Sequence, residues 1–391
     1  MEHQPLTDQG FDAQRLDDAW GIVEEGVRQG AFGGAVATVT RGGTIVLHRA
    51  TGWAVCEPSR IPMGEETIFD LASLTKVVAT LPAVLLLVGD GALTLDDPVG
   101  RILPEFGTGG WKGDATIRRL LSHSAGLPAW LPLYLDQVGP ERYLTAIAQT
   151  QPVARPGNQI VYSDLGFMLL GEVVRRVSGQ DFARFVAAEV FAQLGLRATM
   201  FTPPASLRVR IAATERGNQT EIGMCGERAA SFPNWRRDVI WGEVNDGNSF
   251  YGLGGVAGHA GLFGTATDLA RYCQLWLQNG VWDGRRVLTE ALVGEATRKQ
   301  APGRGLGWRL PDPTPNDHGA ADPGSVLGPG AYGHTGFTGT SLWVDPAQGL
   351  VVVLLTNRLH PVARPEIEVI RPAFHAAVAA ACDEGEHLGA S

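Results

Sequence analysis

Residues 69–93 read FDLASLTKVVATLPAVLLLVGDGAL, a stretch that is apolar nearly throughout. Two polar side chains, Ser73 and Lys76, stand three positions apart at its start. The chain has only three lysines, at positions 76, 112 and 299, and arginine supplies its other basic side chains. Because arginine stays protonated in proteins, a lysine at this position indicates a task that arginine cannot perform.

The spacing of Ser73 and Lys76 places both side chains on one face of the helix that the apolar run predicts, from Ser73 to about Val88. A serine hydroxyl is a poor nucleophile until a base takes its proton. Burial lowers the pKa of a lysine because desolvation disfavours its charged form, so Lys76 is a candidate base. The alternative is an ordinary helix start, with a capping serine and a solvated lysine.

Composition limits the classes of function. The chain has 391 residues, 44% hydrophobic and 19% charged, which is enough for one large domain or two modest ones. Its formal net charge of -9 disfavours nucleic acid or an anionic membrane as a partner, since both need clustered basic side chains. The start MEHQPLTDQGFD has no apolar leader, and the apolar run at 77–88 is too short to span a bilayer.

The four cysteines are scattered and form no CxxC pair, which favours free thiols in a reducing compartment. We therefore expect a cytoplasmic protein. No HExxH motif is present, and the GxGxxA match at 252–257 follows a loop rather than a strand, so we expect neither a metal nor a cofactor.

Periodic patterns predict the order of the elements. Apolar residues at helical spacing over 12–29 predict a first helix, and the Gly42-Gly43 turn predicts a β-hairpin. Residues 80–200 have mostly helical patterns, whereas residues 201–262 are rich in Gly, Asn and Pro and predict long loops. A second hairpin is expected around the turn at 345–349, followed by a closing helix from Pro365 to Cys382.

These patterns predict an α/β (α+β) fold in which one antiparallel sheet is built from both chain ends and flanked by helices, with a mostly helical inserted region. The predicted parts are residues 1–78, the N-terminal part of the sheet domain, residues 79–264, the helical insert with long loops, and residues 265–391, the C-terminal part of the sheet domain.

A second polar triplet, Tyr162-Ser163-Asp164, follows a Pro-Gly turn and precedes a predicted helix. A nearby cationic lysine favours a phenolate, which makes Tyr162 a candidate general base. The alternative is a capping Ser/Asp pair beside a packed tyrosine.

A third triplet, His334-Thr335-Gly336, is predicted to begin the penultimate strand, at an exposed edge. An extended substrate could pair with such an edge, and backbone N–H groups there could bind an oxyanion. The alternative is an ordinary strand start.

In this order, the three motifs resemble those of the serine β-lactamase and penicillin-binding protein superfamily. The likeness is to its class C β-lactamase-like branch, which includes D-alanyl-D-alanine carboxypeptidases, D-aminopeptidases, muropeptide amidases and family VIII carboxylesterases. The stretches LLSHSAGLP at 120–128 and GGVAGHAGLFGTATDLARY at 254–272 resemble loops of the family, and the late strands resemble its late hairpin. The resemblance covers nearly the whole chain and implies the β-lactamase/transpeptidase-like fold.

The resemblance implies that Ser73 is the acylated nucleophile and that Lys76 and Tyr162 share the work of the general base. It also implies an oxyanion hole formed by the backbone N–H groups of Ser73 and Phe337. The substrate is expected to lie along the edge strand, beside His334, Thr335 and Gly336. His123 and His259, in the two family-like loops, are expected to stabilise those loops.

Two positions depart from the pattern of class C β-lactamases. Position 164 is Asp instead of Asn, and a carboxylate there would pair with Lys76 and raise its pKa. We therefore predict that Tyr162 accepts the proton and that Lys76 is its cationic partner. Position 334 is His instead of Lys, and histidine is only partly charged near neutral pH, which disfavours an efficient β-lactamase.

The sequence thus predicts a serine hydrolase that acts through an acyl-enzyme on an ester or amide, as a D-peptidase or amidase or as a carboxylesterase. The alternatives are a β-lactamase and a penicillin-binding or sensor protein without turnover. The expected partner is a small-molecule or peptide-like acyl substrate, not nucleic acid or a membrane. The oligomeric state stays open.

Overall fold

The structure is a computed structural model that describes residues 10–312, 324 and 327–382. Its strands in the described residues, β1 to β11 in chain order, are Gly34–Arg41, Thr44–Val55, Ile61–Pro62, Phe69–Asp70, Met200–Phe201, Leu262–Gly264, Val281–Trp282, Arg285–Arg286, Tyr332–Thr335, Ser341–Asp345 and Leu350–Thr356. Its α-helices there, α1 to α12, are Ala13–Arg28, Leu81–Gly89, Val99–Ile102, Ile117–Leu121, Pro140–Gln149, Asp164–Ser178, Phe182–Val186, Ala192–Leu194, Gln219–Cys225, Ala266–Leu277, Glu290–Thr297 and Ile367–Ala381.

Six strands form the main sheet in the order β3-β2-β1-β11-β10-β9, and each neighbouring pair is antiparallel. Strand β1 pairs with β11 from Ala35 opposite Thr356 to Arg41 opposite Leu350, so the two ends of the chain meet in the middle of the sheet. The prediction of one antiparallel sheet built from both chain ends is confirmed, as are both predicted hairpins.

Helices cover both faces of the main sheet. Successive side chains of a strand point to opposite faces, and on β11 both sets are buried, Leu350, Val352 and Leu354 on one side and Val351, Val353 and Leu355 on the other. Helices α1 and α12 pack together over the first face, and α10 packs over the second. The predicted first and closing helices are therefore both present.

The apolar stretch that follows Ser73 is the core of the helical region. A 3₁₀ turn, Ala72–Leu74, and a π-helical turn, Lys76–Thr80, lead into α2, and α6 packs against both the π-helical turn and α2. By length and composition alone the segment Ala72–Gly89 could cross a membrane, but 78% of it is buried inside the protein, as is usual for a core helix.

Residues 201–262 are mostly irregular, as predicted, with the short helix α9 among them. The end of this region is held next to Ser73. Strand β6 pairs with both β5 and β4, which lies just before Ser73, in a small three-stranded sheet. The boundaries of the insert at 78/79 and 264/265 stay predictions.

The prediction that the triplet at 334–336 begins the penultimate strand is wrong. His334 and Thr335 end β9, and a tight turn separates β9 from β10. The Gly336 N–H donates to Thr340 O at 2.7 Å and the Gly339 N–H donates to Gly336 O at 3.0 Å, which reverses the chain. Strand β9 is an edge strand as predicted, but the His334 side chain is buried.

Candidate active site

The turn that carries Ser73 is shaped by Asp70. The Asp70 side chain accepts hydrogen bonds from the N–H groups of Ala72, at 2.9 Å, and Asn245, at 2.7 Å. Burial raises the pKa of Asp70 to about 6. Ala72 has a φ of 46°, which is uncommon for a residue with a Cβ, and such conformations cluster at functional sites. The strained residue thus stands directly before the candidate nucleophile.

Lys76 is completely buried beneath Ser73. Its Nζ lies 2.9 Å from Ser73 Oγ, 3.1 Å from the carbonyl oxygen of His259 and 2.7 Å from Asp164 Oδ1. The ammonium thus donates hydrogen bonds to Ser73 and His259 and forms an ion pair with the Asp164 carboxylate. Burial lowers the pKa of Lys76, but the charges of Asp164 and Tyr162 outweigh that effect and raise it above its usual value. The predicted pairing of Asp164 with Lys76 is confirmed.

Tyr162 packs against the same ammonium. Lys76 Nζ lies 4.9 Å from the centroid of the Tyr162 ring, and the His123 ring lies against that ring at a centroid distance of 4.5 Å. His123 Nδ1 also accepts a hydrogen bond from the Ser163 N–H at 3.0 Å. Asp164 is the first residue of α6, where the helix dipole favours a carboxylate. His123 therefore holds the triplet in place, as its predicted loop role requires.

His334 is a neutral hydrogen-bond acceptor. Its Nδ1 lies 2.7 Å from the carbonyl oxygen of Thr335, which places the ring proton on Nδ1 and leaves Nε2 with a lone pair. Nε2 has no hydrogen-bond partner among the described residues. Burial lowers the pKa of His334 well below its usual value, and the charges of Lys76 and Arg304 lower it further. The expectation of a partly charged histidine is therefore wrong, because the ring is shielded from water.

The turn after β9 is tied to the backbone that precedes Ser73. The Thr338 hydroxyl donates to Asp70 O at 2.7 Å and the Thr340 hydroxyl donates to Leu71 O at 3.1 Å. Gly336 is required in this turn, since a Cβ there would lie 2.0 Å from Thr340 Oγ1 and 2.6 Å from Leu71 O. These contacts fix the distance between the nucleophile turn and the edge strand.

A cavity of about 880 Å³ opens above these groups. The predicted residues that line it are Ser73, Tyr162, Asp164, His334, Thr335, Gly336 and Phe337. Lys76 lies just below Ser73, so every predicted site residue is at one place. The Phe337 N–H has no acceptor among the described residues, and the Phe337 side chain is 41% exposed at the cavity.

The cavity wall also contains residues that sequence reasoning missed. They are Asn245, Asp246 and Glu221, with Arg304 above the Tyr162 ring at 5.3 Å. Asp246 Oδ1 lies 3.0 Å from His259 Nε2 and accepts a hydrogen bond from the Ser249 N–H at 2.7 Å. The one available signal was an adjacent Asn-Asp pair within a Gly- and Asn-rich stretch.

Two of these acids differ in charge. Burial and the nearby Asp246 raise the pKa of Glu221 to about 8. Burial also disfavours the charge of Asp246, but His259 and the Ser249 N–H outweigh it and hold the pKa of Asp246 below its usual value. Near neutral pH the wall thus has an ionised Asp246 beside a protonated Glu221. In the described part of the chain, no group of three or more His, Cys, Asp or Glu side chains could hold a metal ion.

The fold and the site define a serine hydrolase of the β-lactamase/transpeptidase fold. The beta-lactamase family model matches residues 21–374, and the chain belongs to the beta-lactamase family. It is 33% identical over 386 residues to a Salmonella schwarzengrund protein named as a D-alanyl-D-alanine carboxypeptidase, with 92% of this chain and 86% of the relative covered.

Two solved structures are similar over nearly the whole chain. One is EstCE1, a hydrolase with promiscuous acyltransferase activity, at a TM-score of 0.70 and 25% identity, with 93% of this chain and 99% of that chain covered. The other is SurE with D-Leu, at a TM-score of 0.68 and 25% identity, with 97% of this chain and 78% of that chain covered.

Proposed function

We propose that the protein hydrolyses an amide or ester through an acyl-enzyme on Ser73, and that its natural substrate is a D-peptide or a peptide-like amide. The observation that carries this proposal is the contact of Ser73 Oγ with Lys76 Nζ, 2.9 Å apart at the floor of the large cavity. The carboxypeptidase name of the Salmonella relative and the D-Leu bound by SurE support a D-configured substrate.

Proton transfer is assigned to Tyr162. Asp164 helps to raise the pKa of Lys76, so Lys76 stays a cation, and Tyr162, which packs against it, is assigned the role of base in its phenolate form. The phenolate takes the proton of Ser73, and Ser73 Oγ forms a bond with the carbonyl carbon of the substrate. The carbonyl π electrons move to the oxygen, which the N–H groups of Ser73 and Phe337 stabilise.

The tetrahedral intermediate then collapses. The bond from the carbonyl carbon to the leaving group breaks, and the Tyr162 hydroxyl returns the proton to the departing amine or alcohol. In the second half, the phenolate takes a proton from water, and the hydroxide attacks the acyl carbon. Ser73 leaves and recovers its proton from Tyr162, which completes the cycle without a cofactor.

Carboxylesterase activity is the second candidate. The likeness to EstCE1 supports it, and exposed apolar side chains, Met224, Phe337 and Val369, lie around the cavity. A β-lactamase is disfavoured, because the carboxylate of a β-lactam would meet a neutral His334 where class C enzymes have a lysine. Location in the cytoplasm stays a prediction, which the free state of all four cysteines supports.

The test compares hydrolysis of a short-chain nitrophenyl ester and of D-alanine p-nitroanilide by the wild type and by Ser73→Ala. We expect both reactions to depend on Ser73, with kcat lower by roughly 10⁶-fold in the variant, as for other serine hydrolases. Ser231→Ala, an exposed serine far along the chain, is the matched control.

Each result separates the candidates. Turnover of the ester alone would favour the esterase, and turnover of the anilide favours the D-peptidase or amidase. A stable adduct without turnover would favour a sensor protein. Activity that survives Ser73→Ala would contradict the proposed nucleophile.

A further inference from the structure

The cavity wall contains hydrogen-bond acceptors that have no donor. We call three residues the acceptor wall: Asn245, Asp246 and His334, all of which line the cavity. His334 presents the unpartnered lone pair of Nε2. A buried polar atom without a partner costs free energy, so such atoms indicate a ligand that donates hydrogen bonds.

Asn245 is the most sharply defined member. Its side chain is 2% exposed, and its Nδ2 donates to Glu215 Oε1 at 3.2 Å, which identifies the other atom as the carbonyl oxygen. That oxygen, Oδ1, has no partner among the described residues. Since Nδ2 donates to Glu215, the part of this side chain that a ligand could still satisfy is an acceptor and not a donor.

Asp246 supplies the charge. Its Oδ1 is occupied by His259 and the Ser249 N–H, but no described residue donates a hydrogen bond to its Oδ2. Burial and the charge of Asp246 keep the neighbouring Glu221 protonated near neutral pH. Asp246 is therefore the anionic group of the wall.

The wall is next to the reacting atoms. Asp70 accepts hydrogen bonds from both Ala72, the residue before Ser73, and Asn245. His259 contacts Asp246 with its ring and Lys76 with its carbonyl oxygen. A group held at Asp246 thus lies in the same cavity as the carbonyl that Ser73 attacks.

We propose that Asn245 and Asp246 bind the free α-ammonium group of the acyl part of the substrate, so that the preferred substrates are amides or esters of unblocked amino acids or short peptides. This inference rests on the proposed function. An ammonium supplies three donors and a positive charge, which fits the Asp246 carboxylate, whose Oδ2 has no described donor, and the Asn245 carbonyl oxygen, which has none either. An N-acylated substrate supplies one N–H and no charge.

The experiment compares D-alanine p-nitroanilide with N-acetyl-D-alanine p-nitroanilide, which have the same acyl carbon and the same leaving group. For the wild type we expect kcat/KM to favour the free amine by at least tenfold. Asp246→Asn should reduce that ratio at least tenfold, mainly through KM, because the amide keeps the acceptor for His259 and Ser249 but loses the charge. Glu243→Gln, which removes an exposed carboxylate three residues away, should keep the ratio of the wild type.

The pH dependence of the same ratio gives a second readout that needs no variant. The α-ammonium of the substrate titrates at about pH 8, so the preference should fall as the pH rises from 7 to 9. The charged or titratable groups around Asp246 are His259, Glu221, Asp70, Lys76, Tyr143 and Arg236. Their titration affects both substrates, and the ratio isolates the substrate ammonium.

Two results would overturn the inference. One is an equal or higher kcat/KM for the acetylated substrate with the wild type. The other is an equal effect of Asp246→Asn on both substrates. If neither substrate is hydrolysed in a Ser73-dependent reaction, the proposed function itself fails, which is a distinct result.

Discussion

The floor of the cavity, formed by Ser73, Lys76 and Asp164, and its acceptor wall differ in how completely their polar groups are paired. At the floor, the Lys76 ammonium donates hydrogen bonds to Ser73 and His259 and forms an ion pair with Asp164. At the wall, Asn245 Oδ1 and His334 Nε2 have none among the described residues. The floor is therefore organised before the substrate arrives, as catalysis by preorganised charge requires, whereas the wall is completed by the substrate.

Removal of the cation tests the floor most severely. Lys76→Ala leaves Asp164 without its ion-pair partner and removes the cation that packs against Tyr162, and kcat should fall by roughly 10⁴-fold, as for the loss of a catalytic partner. Steady-state hydrolysis of the acetylated anilide measures this effect. Lys112→Ala is the control, and a loss below tenfold for Lys76→Ala would remove Lys76 from the mechanism.

The base is tested by Tyr162→Phe, which keeps the ring between His123 and Lys76 but removes the hydroxyl. We expect acylation to slow by about 10²- to 10⁴-fold, the usual contribution of a general base. Single-turnover acylation by a nitrophenyl ester is the measurement, with Tyr332→Phe on β9 as the control. Retention of most of the acylation rate would make Lys76 the base instead.

Asp164→Asn should change the pH dependence of kcat/KM more than it changes kcat/KM at the optimal pH. Asp164 helps to raise the pKa of Lys76, so its loss lowers that pKa. In the proposed mechanism, activity requires protonated Lys76 and is lost as the pH rises through its pKa. The alkaline limb of kcat/KM for the acetylated anilide should therefore move to lower pH, and an unmoved limb would contradict the role of Lys76 as a cation.

Glu221→Gln should have the smallest effect, because the pKa of Glu221 is raised to about 8 and its carboxyl is already neutral at pH 7. From pH 4.5 to 8 the unfolded chain releases this proton while the folded protein keeps it, so folding stability declines as the pH rises through this window. The part of the decline that comes from Glu221 is absent in Glu221→Gln. Urea unfolding at pH 5 and pH 8 measures the free energy of unfolding of the wild type and of the variant. An equal change between the two pH values in both proteins would contradict the raised pKa.

Local patterns were enough for the sheet, whereas the floor also needed the resemblance of the three motifs, in their order, to a known family. The alternation around Gly42-Gly43 and the turn at 345–349 predicted the two hairpins whose strands β1 and β11 meet. Ser73 and Lys76 were recognisable because a single helical turn sets their separation, and the triplets at 162–164 and 334–336 were short and near element boundaries.

The acceptor wall and the burial of His334 could not be predicted in this way. Asn245 reaches Asp70 across 175 residues of chain, and His259 reaches Lys76 across 183. Both positions lie in a stretch without periodicity, so no local pattern indicates which side chains face the cavity. His334 is buried because side chains from remote parts of the sequence, such as Tyr162, pack against it. Strand periodicity does not indicate such contacts.

The pairing of β1 with β11 also determines when the main sheet can form during synthesis on the ribosome. The first hairpin leaves the ribosome well before β11, the strand that pairs with β1 in the main sheet. At about 5–20 residues per second, the roughly 300 residues between them take on the order of 15–60 s to translate. Throughout that interval, the nascent chain exposes an unpaired, apolar strand edge that chaperones can recognise. The main sheet, and with it the site, can therefore be completed only after β11 has emerged.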